Sequence, residues 1–406
     1  GVPTLELGEE LGESSQERRP STRMSGPPAP GSKPALGAAF RWLVEKLEPP
    51  RAAGRIPSVE GVRALAATLV FLYHMGSVRA LSPEPGSVSA ALLSLLHTLG
   101  PLGTNCFLVI SGCFVYGSLM HSTVSYSGFL WRRALRIYPL LLIVLSLYVV
   151  LSLCFPSASR LPQDPWRALT YVAANATLLH GLLPNPPIIT VSWTLSYIFA
   201  FYLVSPVLVR STKLCRLPRL QRCAILAVLA AGSLSLSAMN LGSSRIPFFF
   251  VGMLAWEMTD WFKERGRKSA WLPLVMLATA AAAAVLYASG LRILHTGLLP
   301  IICLLGFCFC AFGGHSGLGR LLASRPLRLF GSMSYSFYLT HGLTLNFFEE
   351  VAGPRISGLL GHSALAWVWY PIYFAAATVV AAVFFLLFER HFVPLPALGP
   401  RRDRCI

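Results

Sequence analysis

The chain has 406 residues, of which 54% are hydrophobic and only 13% charged, whereas a soluble domain carries about 25% charged residues. This composition excludes an ordinary soluble enzyme. The net charge is +17, but the cations form short clusters between apolar stretches, which is typical of cytoplasmic loops and not of a nucleic-acid-binding surface. We therefore predict an all-α, polytopic integral membrane protein whose partners include the lipid bilayer but no nucleic acid.

Residues 1–50 differ in composition from the rest of the chain. They are rich in Pro, Gly and Ser, carry 6 Lys or Arg and 7 Asp or Glu, and show no sustained apolar period. This composition predicts a disordered cytoplasmic region. Within it, residues 39–48 form either a short amphipathic helix on the membrane surface or a solvated linker. No signal peptide is recognisable at the start, so the first span is expected to direct insertion.

About ten apolar stretches have the length of about 20 residues that spans a bilayer. They define a membrane domain at 51–392, which a short basic cytoplasmic tail at 393–406 follows. An eleventh stretch, 168–183, is shorter and contains Asn, Thr and His, so we assign it to an external loop that either stays outside the membrane or dips into it. The ten predicted spans are 62–80, 90–117, 137–155, 190–209, 223–241, 246–261, 270–289, 293–313, 329–349 and 364–388.

The distribution of Lys and Arg favours ten spans over eleven, because one additional span reverses the side of every later loop. With a cytoplasmic N-terminus and ten spans, residues 51–406 place 22 cations on the cytoplasmic side and 6 on the opposite side. An eleventh span at 168–183 would move 16 of these cations outside, against the positive-inside rule. We therefore predict ten spans with both termini in the cytoplasm.

No motif indicates a metal site or a tightly bound cofactor. The cysteines number nine, which is odd, and six of them lie in or beside apolar stretches. This pattern predicts buried thiols and not a disulfide framework. The pair Cys308 and Cys310 lacks the spacing of a zinc site.

The first span contains two ionisable side chains, each of which costs roughly 2.5 to 3.5 kcal/mol in a membrane. Arg63 lies near its cytoplasmic end, and His74 follows eleven residues later. Eleven residues turn an α-helix by about 1100° and advance it about 16 Å, so both side chains share a face. We interpret His74 as a general base and Arg63 as an anion ligand. The alternative is a snorkelling arginine and a histidine with a structural hydrogen bond.

The next polar positions are a small-residue step and a basic cluster. Ser111 and Gly112 interrupt the second span, which indicates either a substrate-binding position or close helix packing. Arg132, Arg133 and Arg136 lie at the entrance of the third span. They either fix the topology and bind anionic lipid headgroups, or bind the phosphates of a nucleotide-bearing cofactor.

The ninth span contains a polar face. Tyr338 and His341 are neighbours three residues apart, and Ser334 shares their face, with Tyr335 beside it. We expect His341 to enter the membrane to about the depth of His74. This face indicates either a substrate-binding role or a structural hydrogen-bond network.

Together these segments resemble the acyltransferase-3 family of multi-pass membrane O-acyltransferases, over about residues 57–390. The resemblance depends on six segments that occur in the family's order. They are Arg63 with His74; FLVISGC at 107–113; RRALRIYP at 132–139; SWTLSYIFAFYLVSP at 192–206; FFFVGMLAW at 248–256; and SMSYSFYLTHG at 332–342.

The resemblance implies transfer of an acyl group, often acetyl, from cytoplasmic acyl-CoA to a hydroxyl of a glycan, a lipid-linked saccharide or a glycosylated small molecule. His74 would be the catalytic residue, and acyl-CoA would be a co-substrate and not a tightly bound cofactor. The substrate-binding residues would be Arg63, Arg132, Arg133, Arg136, Ser111, Trp193, Tyr335, Tyr338 and His341.

The chain departs from the family pattern at two positions. The family usually has a glutamate in the segment after the tryptophan, where this chain has Ile198, and often an acidic residue before the Ser-Gly step, where it has Asn105. The isoleucine implies either a different acceptor geometry or weakened activity.

The rival hypothesis is a transporter or flippase for a saccharide or lipid-linked substrate, because polar side chains at mid-membrane also suit a substrate pathway. No inverted repeat is recognisable in the sequence, which favours the enzyme. The chain has 29 Arg and 5 Lys, a bias typical of a GC-rich genome. This bias predicts a bacterial protein of the cytoplasmic membrane.

Overall fold

A computed structural model describes residues 41–42, 44–48, 56–76, 86–121, 125–156, 159–183, 185–264, 317–351 and 366–392. The chain divides into two compact units, Gly1–Trp42 and Leu43–Ile406, and almost all of the described residues belong to the second. The predicted disordered segment before residue 41, the predicted spans at 270–289 and 293–313, and the basic tail lie outside the described residues.

Throughout the described ranges the regular structure is helical, with no strand. The final helix continues into a π-helical turn, Phe385–Glu389, and a last turn, Arg390–Phe392. The α-helices are α1 Pro57–Met75, α2 Val88–His121, α3 Tyr126–Cys154, α4 Pro165–Ala176, α5 Ser192–Ser211, α6 Arg219–Ala238, α7 Ile246–Glu264, α8 Gly317–Leu322, α9 Arg325–Ser332, α10 Ser334–Val351 and α11 Ala366–Phe384.

Five described helical segments are long and apolar enough to cross a membrane. The described residues are thus all-helical, as predicted, and include candidate membrane spans, whereas the count of ten and the cytoplasmic termini stay predictions. The five segments are Gly100–His121, Tyr126–Cys154, Ser192–Ser211, Arg219–Ala238 and Trp369–Phe392.

The segment at 168–183 does not form a membrane-spanning helix. Its helix, α4, has 12 residues and is therefore about 18 Å long, less than the roughly 30 Å of a bilayer core. Asp164 caps its N-terminus, because the carboxylate accepts a hydrogen bond from the Arg167 backbone amide at 2.8 Å. The structure thus agrees with the assignment of this segment to a loop.

The third span begins earlier than the hydropathy pattern predicts. The predicted start was residue 137, but α3 begins at Tyr126, where the Ser125 hydroxyl accepts a hydrogen bond from the Gly128 amide. A capping hydroxyl starts a helix independently of hydropathy, since it satisfies a backbone amide that has no partner within the helix. The three arginines at 132, 133 and 136, which we predicted at the entrance of the third span, therefore lie on α3 itself.

Helices α2 and α7 approach closely at two glycines. A Cβ atom added to Gly112 would clash with the Phe249 carbonyl, and one added to Gly252 would clash with the Val109 carbonyl. Small residues allow helix backbones to approach in this way within membranes. The contacts of Gly112 therefore favour the interpretation of the Ser-Gly step as a site of close helix packing.

We expect Gly112→Val to destabilise the protein by about 1 to 3 kcal/mol or more, since the added methyl groups must push α7 away. The measurement is the thermal unfolding midpoint of detergent-solubilised protein. Gly232→Val in α6 is the matched control, because no described atom lies within 4 Å of its added Cβ. Equal losses in the two variants would contradict the packing argument.

Candidate active site

Two histidines from helices distant in sequence face each other in the core. His74 lies in the last turn of α1 and is partly exposed, while His341 on α10 is 1% exposed. Their ring centroids are 5.4 Å apart. The structure therefore brings together the proposed general base and a predicted substrate-binding histidine.

Neighbouring groups fix the orientation of His341. Its Nδ1 lies 3.0 Å from the Phe337 carbonyl oxygen, and because a carbonyl only accepts, Nδ1 must carry the proton. The Phe337 ring stacks on the imidazole at 5.7 Å, and Phe71 packs edge-on at 6.3 Å. The remaining nitrogen, Nε2, has no hydrogen-bond partner within the described part of the chain, so it can accept a hydrogen bond from a bound hydroxyl.

The two tyrosines on α10 hold the helix in place through their hydroxyls. Tyr335 donates to the Ile137 carbonyl at 2.7 Å, and Tyr338 donates to the Val191 carbonyl at 3.1 Å. The Tyr338 ring also lies 6.2 Å from that of His341. Both hydroxyl protons are thus committed to backbone acceptors, which favours the structural alternative for these two residues.

Three cations meet near the start of α1. The Arg63 guanidinium donates to the Glu60 carboxylate at 2.9 Å. Arg136 is exposed and interacts electrostatically with Arg63, Arg133 and Glu60. We call Arg63, Arg133 and Arg136 the inner cation cluster; no ion pair with a described carboxylate holds Arg133 or Arg136.

Aromatic rings position Arg133 within the inner cation cluster. Its guanidinium carbon lies 5.2 Å from the centroid of Phe129 and 5.3 Å from that of Tyr202, which are cation-π distances. Arg132 is partly exposed on the same helix, and no hydrogen bond or ion pair joins it to the cluster in the ranges described above. The structure therefore brings together three of the four predicted arginines.

The sequence analysis missed one carboxylate at this end of the site. Glu389 is 7% exposed and accepts hydrogen bonds from the Ser336 amide at 2.9 Å and the Ser336 hydroxyl at 2.6 Å. It also interacts favourably with Arg63 and Arg136. A carboxylate directly after the apolar stretch 364–388 was the available signal, since carboxylates are rare in and beside spans.

A fourth arginine approaches Trp193 from the start of α7. The Arg245 guanidinium carbon lies 4.9 Å from the centroid of the Trp193 ring, and its Nη1 donates to the Asn105 side-chain oxygen at 3.1 Å. Asn105 is thus in contact with a cation at the position where the family resemblance leads one to expect an acid. No sequence pattern predicted this contact, because the three residues are far apart in the chain.

Three further polar or family-pattern positions are buried or partly buried. Ser111 is partly buried on α2, and Ile198 is 7% exposed in the core of α5. His180 lies in the loop before α5, where its Nε2 is 2.9 Å from the Ser192 hydroxyl. Burial lowers the pKa of this imidazole.

No group of three or more potential metal ligands converges in the described ranges. The candidate site contains a histidine pair at one depth and cations displaced from it along α1. Arg63 and His74 are separated by about 16 Å along the helix axis. Such a separation suits a substrate with an anionic end and a reactive group on an extended arm.

Comparison with known proteins identifies the family of the chain. The acyltransferase-3 family model, described as an acyltransferase domain, matches residues 56–386. A relative named acyltransferase MdmB, from Streptomyces mycarofaciens, is 33% identical over 180 residues, which is 43% of this chain and 44% of the relative. The matched part is thus less than half the length of that relative. No solved structure matches the chain.

Proposed function

The chain belongs to the acyltransferase-3 family, and from this premise we propose that it transfers an acyl group from acyl-CoA to an acceptor hydroxyl. The acyl group is acetyl, and the acceptor is a glycan, a lipid-linked saccharide or a glycosylated small molecule. The observation that carries the proposal is the contact of His74 with His341. His74 lies on α1, the helix that also contributes Arg63 to the inner cation cluster.

His74 acts as the general base. It removes the proton of the acceptor hydroxyl as the oxygen attacks the thioester carbonyl, and the proton then passes to the departing CoA thiolate. His341 accepts a hydrogen bond at Nε2 and helps to orient the acceptor. Transfer runs either directly or through a covalent acyl group relayed across the membrane.

The inner cation cluster binds the phosphates of CoA. Planar guanidinium groups donate several hydrogen bonds to phosphate oxygens in a fixed geometry. The pantetheine arm then extends along α1 and presents the thioester to the histidines. On this proposal the cluster faces the cytoplasm of a bacterial cell, and the protein lies in the cytoplasmic membrane.

Arg136→Ala should raise the KM for acetyl-CoA about tenfold, because a charge-assisted hydrogen bond contributes about 1.5 to 3 kcal/mol. The measurement is the initial rate of transfer against acetyl-CoA concentration in membranes. Arg216→Ala is the control, since Arg216 is an exposed cation on the 3-10 turn Leu214–Arg216. A similar KM change in both variants would contradict a specific phosphate site.

The test of the function itself is transfer of label from radioactive acetyl-CoA. Membranes that contain the intact chain receive total glycan and lipid extracts as acceptor, beside membranes without it. Label that enters an extract only with the intact chain supports the proposal. If no label moves and acetyl-CoA binds no better than to control membranes, the transporter hypothesis should be tested with labelled saccharides.

A further inference from the structure

Arg245 lacks the kind of partner that other arginines of this protein have. Ion pairs with carboxylates hold Arg63, Arg219, Arg222 and Arg328. Arg245 instead forms one side-chain hydrogen bond, to the neutral amide of Asn105, and no ion pair with any described residue. A guanidinium has five N–H donors, and no described side chain accepts a hydrogen bond from the other four.

The surroundings of Arg245 are aromatic and neutral. Its guanidinium packs on the Trp193 ring at 4.9 Å and interacts electrostatically with the phenols of Tyr73, Tyr197 and Tyr338. The stacking fixes the plane of the guanidinium, and a fixed plane lowers the entropy that is lost when it binds a planar anion. This arrangement is a prepared anion-binding position whose charge no described side chain neutralises.

The aromatic neighbours connect this position to the histidine pair. Tyr73 directly precedes His74 and packs edge-on against it at 5.2 Å, and Tyr338 lies beside His341. Arg63 and the inner cation cluster lie at the opposite end of α1. The histidines are therefore between two cationic positions, and the proposed function already assigns the inner one to CoA.

We propose that Arg245, stacked on Trp193, binds a carboxylate or phosphate group of the acceptor, so that the preferred acceptor is an anionic saccharide. The identification of the bound saccharide as the acceptor rests on the proposed function, whereas the anion-binding position does not. The remaining guanidinium donors hold the charge of the saccharide.

The experiment compares two probes that differ only at C6 of the sugar. This carbon is a carboxylate in p-nitrophenyl glucuronide and a hydroxymethyl group in p-nitrophenyl glucoside. Binding to the full chain is measured by titration calorimetry in a polyoxyethylene detergent, because maltoside headgroups are themselves saccharides. We expect the glucuronide to bind about tenfold more tightly. Arg245→Gln should abolish this preference, Arg245→Lys should retain part of it, and all variants should keep the unfolding temperature of the intact chain.

Arg160→Gln is the matched control for loss of one positive charge. Arg160 lies in the loop between α3 and α4 and donates to the Thr190 hydroxyl at 3.3 Å. This variant should keep the tenfold preference. Equal binding of the two probes, no binding of either, or a preference that survives Arg245→Gln would overturn the proposal.

Two further measurements distinguish an acceptor site from a lipid-headgroup site and from a failure of the proposed function. Tighter binding of phosphatidylglycerol than of the glucuronide, with no preference between the glycosides, would assign Arg245 to a lipid headgroup and overturn the acceptor site. Absence of acetyl transfer with an intact probe preference would instead overturn the proposed function and leave the anion site standing.

Discussion

His74→Ala should lower the rate of acyl transfer by about a hundred- to ten-thousand-fold, which is the usual contribution of a general base. The variant should insert and bind acetyl-CoA normally, because the inner cation cluster is about 16 Å away along α1. The measurement is kcat with labelled acetyl-CoA at saturating donor, together with the affinity for acetyl-CoA.

Two other histidine variants make this result specific. His121→Ala is the control, since His121 is an exposed residue at the C-terminus of α2. His341→Ala should reduce the rate less than His74→Ala if His341 only orients the acceptor. If His341→Ala abolished acyl transfer while His74→Ala remained active, His341 and not His74 would be the general base.

Glu257→Ala should destabilise the protein by about 3 to 5 kcal/mol, the range found when one partner of a buried ion pair is removed. Glu257 on α7 is 2% exposed and accepts hydrogen bonds from Arg222 Nε at 2.6 Å, from Arg222 Nη2 at 2.8 Å and from the Tyr116 hydroxyl. Its removal leaves Arg222 without a carboxylate and Tyr116 without an acceptor.

The measurement is the thermal unfolding midpoint in detergent, together with the yield of inserted protein. Glu264→Ala is the matched control on the same helix, since Glu264 pairs with Arg219 at 2.6 Å but is 57% exposed. An exposed ion pair contributes at most about 1 kcal/mol, so this control should stay near the intact chain. Equal shifts in the two variants would show that burial does not decide the contribution of Glu257.

Much of the candidate site could be predicted from spacing within one helix. Arg63 and His74 lie on one face of α1 because the α-helix has a fixed period. The same period places Tyr338 and His341 side by side on α10. Local geometry of this kind depends on neighbours in the chain, so it can be derived before the packing is known.

Contacts between helices could not be predicted in this way. Glu257 lies in an apolar stretch and Glu389 directly after one, where a carboxylate is a signal of function or pairing. Their partners, however, come from distant helices. Arg245 lies outside any span and carries no local signal at all. Its position over Trp193 depends on how α2, α5 and α7 pack.

Local composition was sufficient to predict helices apolar enough to cross a membrane, because the hydropathy of a segment depends on its own residues. The order of the motifs was sufficient to indicate the family, and the helical period placed Arg63 and His74 on one face of α1. Packing between helices, in contrast, brings His74 to His341, gathers three arginines and leaves Arg245 without a carboxylate partner in the described part of the chain. Such contacts depend on side-chain packing between helices, which hydropathy does not encode.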